Sequence, residues 1–133
     1  MKLLPFSFNV PRLKAIDLFS RCGGLSVGLK QAGFAVAAAV EIDPKAQATY
    51  KLNHPSVRLY ERDIRELDPL IVLSELEMGK EDLDLLAGCP PCQGFSRLRT
   101  RNRTISVDDP RNDLVADFLR FVEAMLPKTI MME

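Results

Sequence analysis

Two thiols around a pair of prolines give this 133-residue chain its most reactive stretch, Gly88-Cys89-Pro90-Pro91-Cys92-Gln93-Gly94-Phe95-Ser96. The prolines stiffen the backbone and would hold one thiol in a fixed place. A thiol attacks as its thiolate, so polar surroundings with nearby positive charge would favour a nucleophilic role. The same residues admit other readings. Cys89 and Cys92 form a C-x-x-C pair that could cycle as a disulfide. Cys22, Cys89, Cys92 and His54, the only histidine, could make a Cys₃His zinc site. Either cysteine could be ordinary buried packing. The zinc set has only one close ligand pair, and a disulfide has no use for the carboxylates described next.

A second cluster, Asp17-Leu18-Phe19-Ser20-Arg21-Cys22-Gly23-Gly24, runs from an apolar stretch into glycines. Glycines let a ligand approach the backbone, and a helix start offers free N–H groups. A tight turn alone would use the same residues. Glu41 follows Gly24 at the spacing where nucleotide-binding folds put an acid on ribose hydroxyls. It could instead be a carboxylate favoured by a helix dipole. Asp63 comes after the next apolar run. It suits a nucleoside pocket built across neighbouring strands, or a simple cap.

Short apolar runs alternate with helical spacing. Strands are predicted at Lys14 to Phe19, Phe34 to Val40, Val57 to Tyr60, Leu83 to Ala87 and Thr129 to Met132. Helices are predicted from about Leu25 to Ala32, closed by Gly33; from Pro44 to about Asn53, capped by Asp43; from Pro69 to about Met78; and from Leu114 to Met125, ended by Pro127. Gln93 to Pro110 has no clear period. Strands separated by helices imply right-handed crossovers and a parallel sheet. Ligands of such sheets sit beyond the carboxyl ends of the strands, where every unusual cluster here falls.

Composition sets the outer limits. Hydrophobic residues make up 47%, charged residues 27%, and 18 basic residues balance 18 acidic ones. That excludes a disordered chain, a collagen or a disulfide scaffold. It also argues against nucleic-acid binding through bulk charge alone. Charge is uneven, however. Glu61 to Asp84 holds nine acids and three bases, whereas Gln93 to Thr104 holds Arg97, Arg99, Arg101 and Arg103 without an acid. The arginines could be a solvated surface, or could meet a phosphate backbone. No apolar run is long enough to span a membrane. Residues 1–13 are expected to be a lead-in. The odd cysteine count and the lack of a signal peptide point to a reducing, intracellular compartment.

From about Lys14 to Glu133 the chain resembles the N-terminal part of cytosine-5 DNA methyltransferases. Asp17-Leu18-Phe19-Ser20-x-Cys22-Gly23-Gly24-Leu25-Ser26 resembles the motif that holds the methionine part of S-adenosylmethionine. Glu41 resembles the ribose acid, with Ile42 against the adenine, and Asp63-Ile64 the pair at the adenine edge. Gly88-x-Pro90-Pro91-Cys92-Gln93-Gly94-Phe95-Ser96 resembles the catalytic motif, with Cys92 on the nucleophile. Asp109-Pro110-Arg111-Asn112-x-Leu114 resembles the next motif, whose leucine lines the cofactor pocket. Met132-Glu133 resembles the opening of the Glu-Asn-Val motif, whose acid is catalytic.

The resemblance implies a Rossmann-like class I methyltransferase sheet of about five parallel strands, incomplete, over residues 1–133. It implies that Cys92 adds to C6 of cytosine, that C5 takes the methyl group, and that Glu133 stabilises the adduct. Cofactor contacts are implied for Phe19, Ser20, Cys22, Gly23, Gly24, Glu41, Ile42, Asp63, Ile64, Gly88, Pro91 and Leu114. Contacts to duplex DNA with a flipped base are implied for Gln93, Ser96, Arg97, Arg99, Arg101 and Arg103 on a mobile loop. No metal and no membrane are expected. A close relative of the family acts on transfer RNA.

Two departures stand out. The family usually has glycine where Arg21 stands, and a positive φ there would cost an arginine roughly 1–2 kcal/mol. Against the family's usual pattern, the target-recognition region and the segment completing the cofactor pocket are expected to fall outside residues 1–133. The fifth strand, interior in the family, would then be a bare apolar edge. Three functions remain open: one half of a methyltransferase that acts with a partner chain, a cofactor- or DNA-binding remnant without turnover, and a thiol redox protein.

Overall fold

The computed structural model describes residues 11–91 and 113–133. The elements are β1 (Lys14–Leu18), α1 (Gly24–Gln31), β2 (Ala35–Val40), α2 (Pro44–Asn53), β3 (Arg58–Tyr60), a 3₁₀ turn (Ile64–Glu66), α3 (Pro69–Glu75), β4 (Leu85–Gly88), α4 (Asp113–Met125) and β5 (Thr129–Met132). All four strand pairs are parallel, in the order β3-β2-β1-β4-β5. The chain thus steps outward from β1 to β3, then returns across β1 to build β4 and β5. The point of reversal lies between β1 and β4, where such sheets open a crevice. Register brings the carboxyl ends level: Leu18 pairs with Val40 and with Gly88, Val40 with Tyr60, and Gly88 with Met132.

Strand alternation divides the core between two faces. Ile16, Leu18, Val40 and Leu86 pack with Phe118, Phe121 and Met125 of α4 and with Val72 and Leu73 of α3. Ala15, Ala39, Leu85 and Ala87 pack on the other face, with Leu29 of α1 and Tyr50 of α2. Gly88 has no room for a side chain, because a Cβ would lie 2.8 Å from the Leu18 carbonyl oxygen. That close approach seats the end of β4 against the end of β1.

The predicted strands and helices all form, with shifted ends. α1 closes through Gly33 at φ 93, with Gly33 N–H donating to Lys30 O and Phe34 N–H to Leu29 O, both at 3.0 Å. α3 stops at Glu75 rather than near Met78. Glu77 takes φ 55, and Met78 N–H donates to Leu73 O at 2.9 Å, which is the same closing pattern without a glycine. β4 begins at Leu85 rather than Leu83 and includes Gly88. Asp84 is held by side-chain bonds to Lys128 Nζ at 2.7 Å and Lys14 N–H at 2.8 Å. The 3₁₀ turn after Asp63 was not anticipated. All four β5 residues are exposed, including Ile130, Met131 and Met132, so the edge expected from sequence is bare among the described residues. No helix among the described residues is long and apolar enough to cross a membrane.

Candidate functional site

A cleft of about 260 Å³ opens beyond the carboxyl ends of β1, β2 and β3. Its wall includes seven predicted residues: Phe19, Glu41, Ile42, Asp63, Ile64, Pro91 and Leu114. Arg21, Val40, Asp43, Arg62 and Arg65 complete it.

Glu41 is the best-fixed acid in the cleft. It is 5% exposed, and each carboxylate oxygen accepts one backbone N–H. Arg21 N–H reaches Oε2 at 2.7 Å, and Asp43 N–H reaches Oε1 at 2.8 Å. Gln47 Nε2 donates to the Glu41 carbonyl at 2.8 Å and holds its backbone. A carboxylate has about four acceptor positions, so two remain for ligand hydroxyls. Ile42, next in the chain, is 59% exposed in the same wall and offers an apolar face.

Asp63 both caps and lines the cleft. Its Oδ1 accepts Arg65 N–H at 2.9 Å and starts the 3₁₀ turn, and the Arg65 guanidinium grips both oxygens. The Arg65 hydrogen bonds hold its carboxyl below the usual range. Arg120 of α4 donates to Ile64 O at 2.6 Å and Leu67 O at 2.9 Å, which fixes the turn from the opposite side.

The turn after β1 carries two left-handed residues besides Gly23, Phe19 at φ 59 and Arg21 at φ 51. Arg21 therefore adopts the conformation that favours the family's glycine, at a cost of roughly 1–2 kcal/mol. Five predicted cofactor residues lie outside the cleft wall. Ser20 is buried, and its N–H donates to Val40 O at 3.0 Å. Cys22 is exposed. Gly23 caps α1 with no side-chain bond, and Gly24 opens that helix into free space. Gly88 serves the packing against Leu18.

Beneath the turn lies a buried chain of polar groups that sequence reasoning missed. Ser26 Oγ donates to Asp17 Oδ2 at 2.6 Å and lies 2.7 Å from Tyr50 Oη. Asp17 is fully buried. Burial lifts its pKa to about 6, against the pull of the Ser26 hydrogen bonds. Burial likewise pushes the Tyr50 hydroxyl up to about 12. Asp17 Oδ1 and Ser20 Oγ are buried without a hydrogen-bond partner. The only signal available was strand alternation, which turns Asp17 inward with Ala15.

His54 is committed elsewhere than to zinc. Its Nε2 donates to Gly23 O at 3.1 Å, and its Nδ1 lies 2.8 Å from Lys30 Nζ. Burial is the main cause that lowers its pKa, and the Lys30 charge adds to it. No cluster of three metal-ligating side chains exists among the described residues. At the end of β4, Cys89 Sγ lies 3.9 Å from Glu133 Oε2, and Glu133 N–H donates to Gly88 O at 3.3 Å. Neighbouring parallel strands thus deliver Glu133 and the proline pair to one place. Cys92, Gln93, Ser96, Arg97, Arg99, Arg101 and Arg103 lie outside the described residues.

Comparison with known proteins adds identity to this geometry. A family model described as C-5 cytosine-specific DNA methylase matches residues 13–133. The chain is 43% identical over 121 residues to the type II methyltransferase M.DdeI of Desulfomicrobium norvegicum, covering 91% of this chain and 27% of that protein. It is 42% identical over 120 residues to the type II methyltransferase M.AquIA of Picosynechococcus, covering 90% and 47%. Among solved structures, a DNA modification methyltransferase encoded within an E. coli prophage superposes with a TM-score of 0.74 at 38% identity, covering 90% and 31%. The chain therefore spans less than half the length of these relatives.

Proposed function

Because the chain belongs to the C-5 cytosine-specific DNA methylase family, we propose that it is the cofactor-binding and nucleophile-bearing part of a DNA cytosine-5-methyltransferase. Family membership implies a methyl donor, and we assign S-adenosylmethionine to the cleft. The observation that carries this is Glu41, buried at a strand end with one backbone amide on each oxygen and acceptor capacity to spare.

The residues present fit that cofactor. Glu41 would accept the ribose hydroxyls, Ile42 would cover one face of the adenine, and Asp63 would accept from its amino edge. Phe19, Pro91 and Leu114 supply the remaining wall. The uncapped start of α1 suits the charged amino-acid end. When bound, S-adenosylmethionine supplies an electrophilic methyl group. Cys92 is the proposed nucleophile, one residue beyond the cleft-lining Pro91. Glu133 is the proposed acid at the cytosine edge. Gln93, Ser96 and the four arginines are the proposed DNA contacts.

The bare edge of β5 favours a further part of the enzyme, in the same polypeptide or in a second chain, that completes the sheet and reads the target. The test is transfer of labelled methyl from S-adenosylmethionine to cytosine-containing DNA by this chain mixed with the remaining, C-terminal region of M.DdeI. Label on DNA from the mixture, lost with Cys92→Ala, is the expected result. Label that survives Cys92→Ala would contradict the nucleophile. No label from any mixture would favour a remnant that binds without turnover, and label on transfer RNA alone would move the substrate class.

A further inference from the structure

The residue that departs from the family's glycine also holds the acid that the cofactor reading depends on. Arg21 N–H is the donor to Glu41 Oε2, at 2.7 Å, and residue 21 is left-handed at φ 51 in a turn anchored on either side by Ser20 N–H on Val40 O and Gly23 N–H on Ser20 O. Asp43 N–H holds the other oxygen at 2.8 Å. Asp43 sits at a helix start, and its place is set by its own cap, Oδ1 accepting Lys45 N–H at 2.7 Å and Ala46 N–H at 3.1 Å. One jaw of the clamp is therefore built into α2, whereas the other depends on the backbone conformation of residue 21. The carboxylate is nearly out of solvent, so water is a poor substitute for a lost amide.

We propose that residue 21 is a positioning residue for Glu41: its left-handed backbone, and not its guanidinium, orients the carboxylate toward ribose hydroxyls. The proposal rests on the reading of the cleft as a nucleoside site. A side chain that disfavours the left-handed region lowers the fraction of molecules with the clamp closed, and apparent affinity falls by that fraction. Glycine and asparagine tolerate the region, arginine tolerates it at some cost, and a β-branched residue resists it.

The experiment titrates S-adenosylhomocysteine and its 2′,3′-dideoxy analogue into the full 133-residue chain with Arg21, Arg21→Gly, Arg21→Asn, Arg21→Lys and Arg21→Val. Folding is checked by circular dichroism. The proposal expects S-adenosylhomocysteine to bind Arg21→Gly and Arg21→Asn at least as tightly as the parent. It expects Arg21→Val to bind on the order of tenfold more weakly. The dideoxy analogue should show no such spread, because it lacks the hydroxyls that Glu41 would take. Affinity that instead follows charge, with arginine and lysine alike and glycine and asparagine weak, overturns the proposal and makes the guanidinium a direct contact. Equal affinity across the series overturns it as well. Failure of every variant and the parent to bind either compound overturns the nucleoside reading itself.

Discussion

His54 stands directly over Gly23. Its Nε2 donates to the Gly23 carbonyl at 3.1 Å, and a Cβ on residue 23 would lie 2.4 Å from that same nitrogen. Gly23 also has φ 94. The glycine that reads as a ligand contact in sequence is thus required by a histidine from the end of α2. Gly23→Ala should destabilise the chain by about 2–5 kcal/mol, from left-handed strain plus the clash. Chemical denaturation would measure it. In a His54→Ala background most of the clash should be relieved, leaving the tight contact with Tyr50 Cδ2 at 3.0 Å, and the penalty should fall toward that of strain.

Asp17 makes stability depend on pH. Burial raises its pKa from the unfolded 3.8 to about 6. The folded chain therefore binds the proton more tightly than the unfolded chain. The stability this gives is full below about 3.8 and is lost as pH rises toward 6. Over that window the loss amounts to about 3 kcal/mol. Asp17→Asn should remove it. The difference in unfolding free energy between Asp17→Asn and the parent should shift in favour of asparagine from pH 4 to pH 7, then level off. Parallel pH profiles would contradict the assignment. Comparing the two chains cancels the opposite trend from Asp63 and Asp84, whose pKa values are held down by hydrogen bonds from Arg65 and Lys128.

Ser26 is the middle of the buried chain that joins β1, α1 and α2. Ser26→Ala would remove the donor to Asp17 Oδ2 and the hydroxyl beside Tyr50. Asp17 Oδ1 already lacks a partner, so the carboxyl would lose its one side-chain donor. The expected cost is about 1–3 kcal/mol at pH 7. It should shrink at pH 4, where the protonated carboxyl no longer carries a buried charge. Tyr50→Phe leaves the Asp17 bond in place and should cost only about 1 kcal/mol.

Packing alone requires glycine at residue 88. Gly88→Ala would press a methyl group to 2.8 Å from Leu18 O and 3.1 Å from a Phe118 ring carbon. Backbone cannot yield as a flexible side chain can. The expected loss is about 1–3 kcal/mol of stability, together with a shift of the Cys89–Pro91 segment that the strand end carries. Thermal unfolding would measure the first effect.

Element order is legible in the sequence because apolar runs and helical spacing alternate cleanly, with Asp43-Pro44 and Gly33 as terminal signals. Glu41 and Asp63 are legible as candidate site residues because they stand just past strand ends, Ile42 and Ile64 only through the family resemblance, and all four line the cleft. The ends of α3 and β4 are less so. Glu77 closes α3 in a conformation that sequence ordinarily signals with glycine. Leu83 extends an apolar run that pairing with β1 does not use from its start. The glycines of the β1 turn carry two meanings, and only the position of His54 separates them. A buried Asp17 contradicts what its charge suggests, because the contact that makes it tolerable, Ser26 on the following helix, is a fold contact that no local pattern announces.

The central claim is that Glu41 holds the ribose of S-adenosylmethionine. Isothermal titration of S-adenosylhomocysteine into the chain and into Glu41→Gln tests it most directly. An amide keeps the shape but offers one acceptor oxygen and clashes as donor with the Asp43 or Arg21 N–H. The account predicts binding by the parent and a loss of at least about tenfold with Glu41→Gln, worth about 1.4 kcal/mol or more. Binding by the parent that Glu41→Gln leaves unchanged would contradict it.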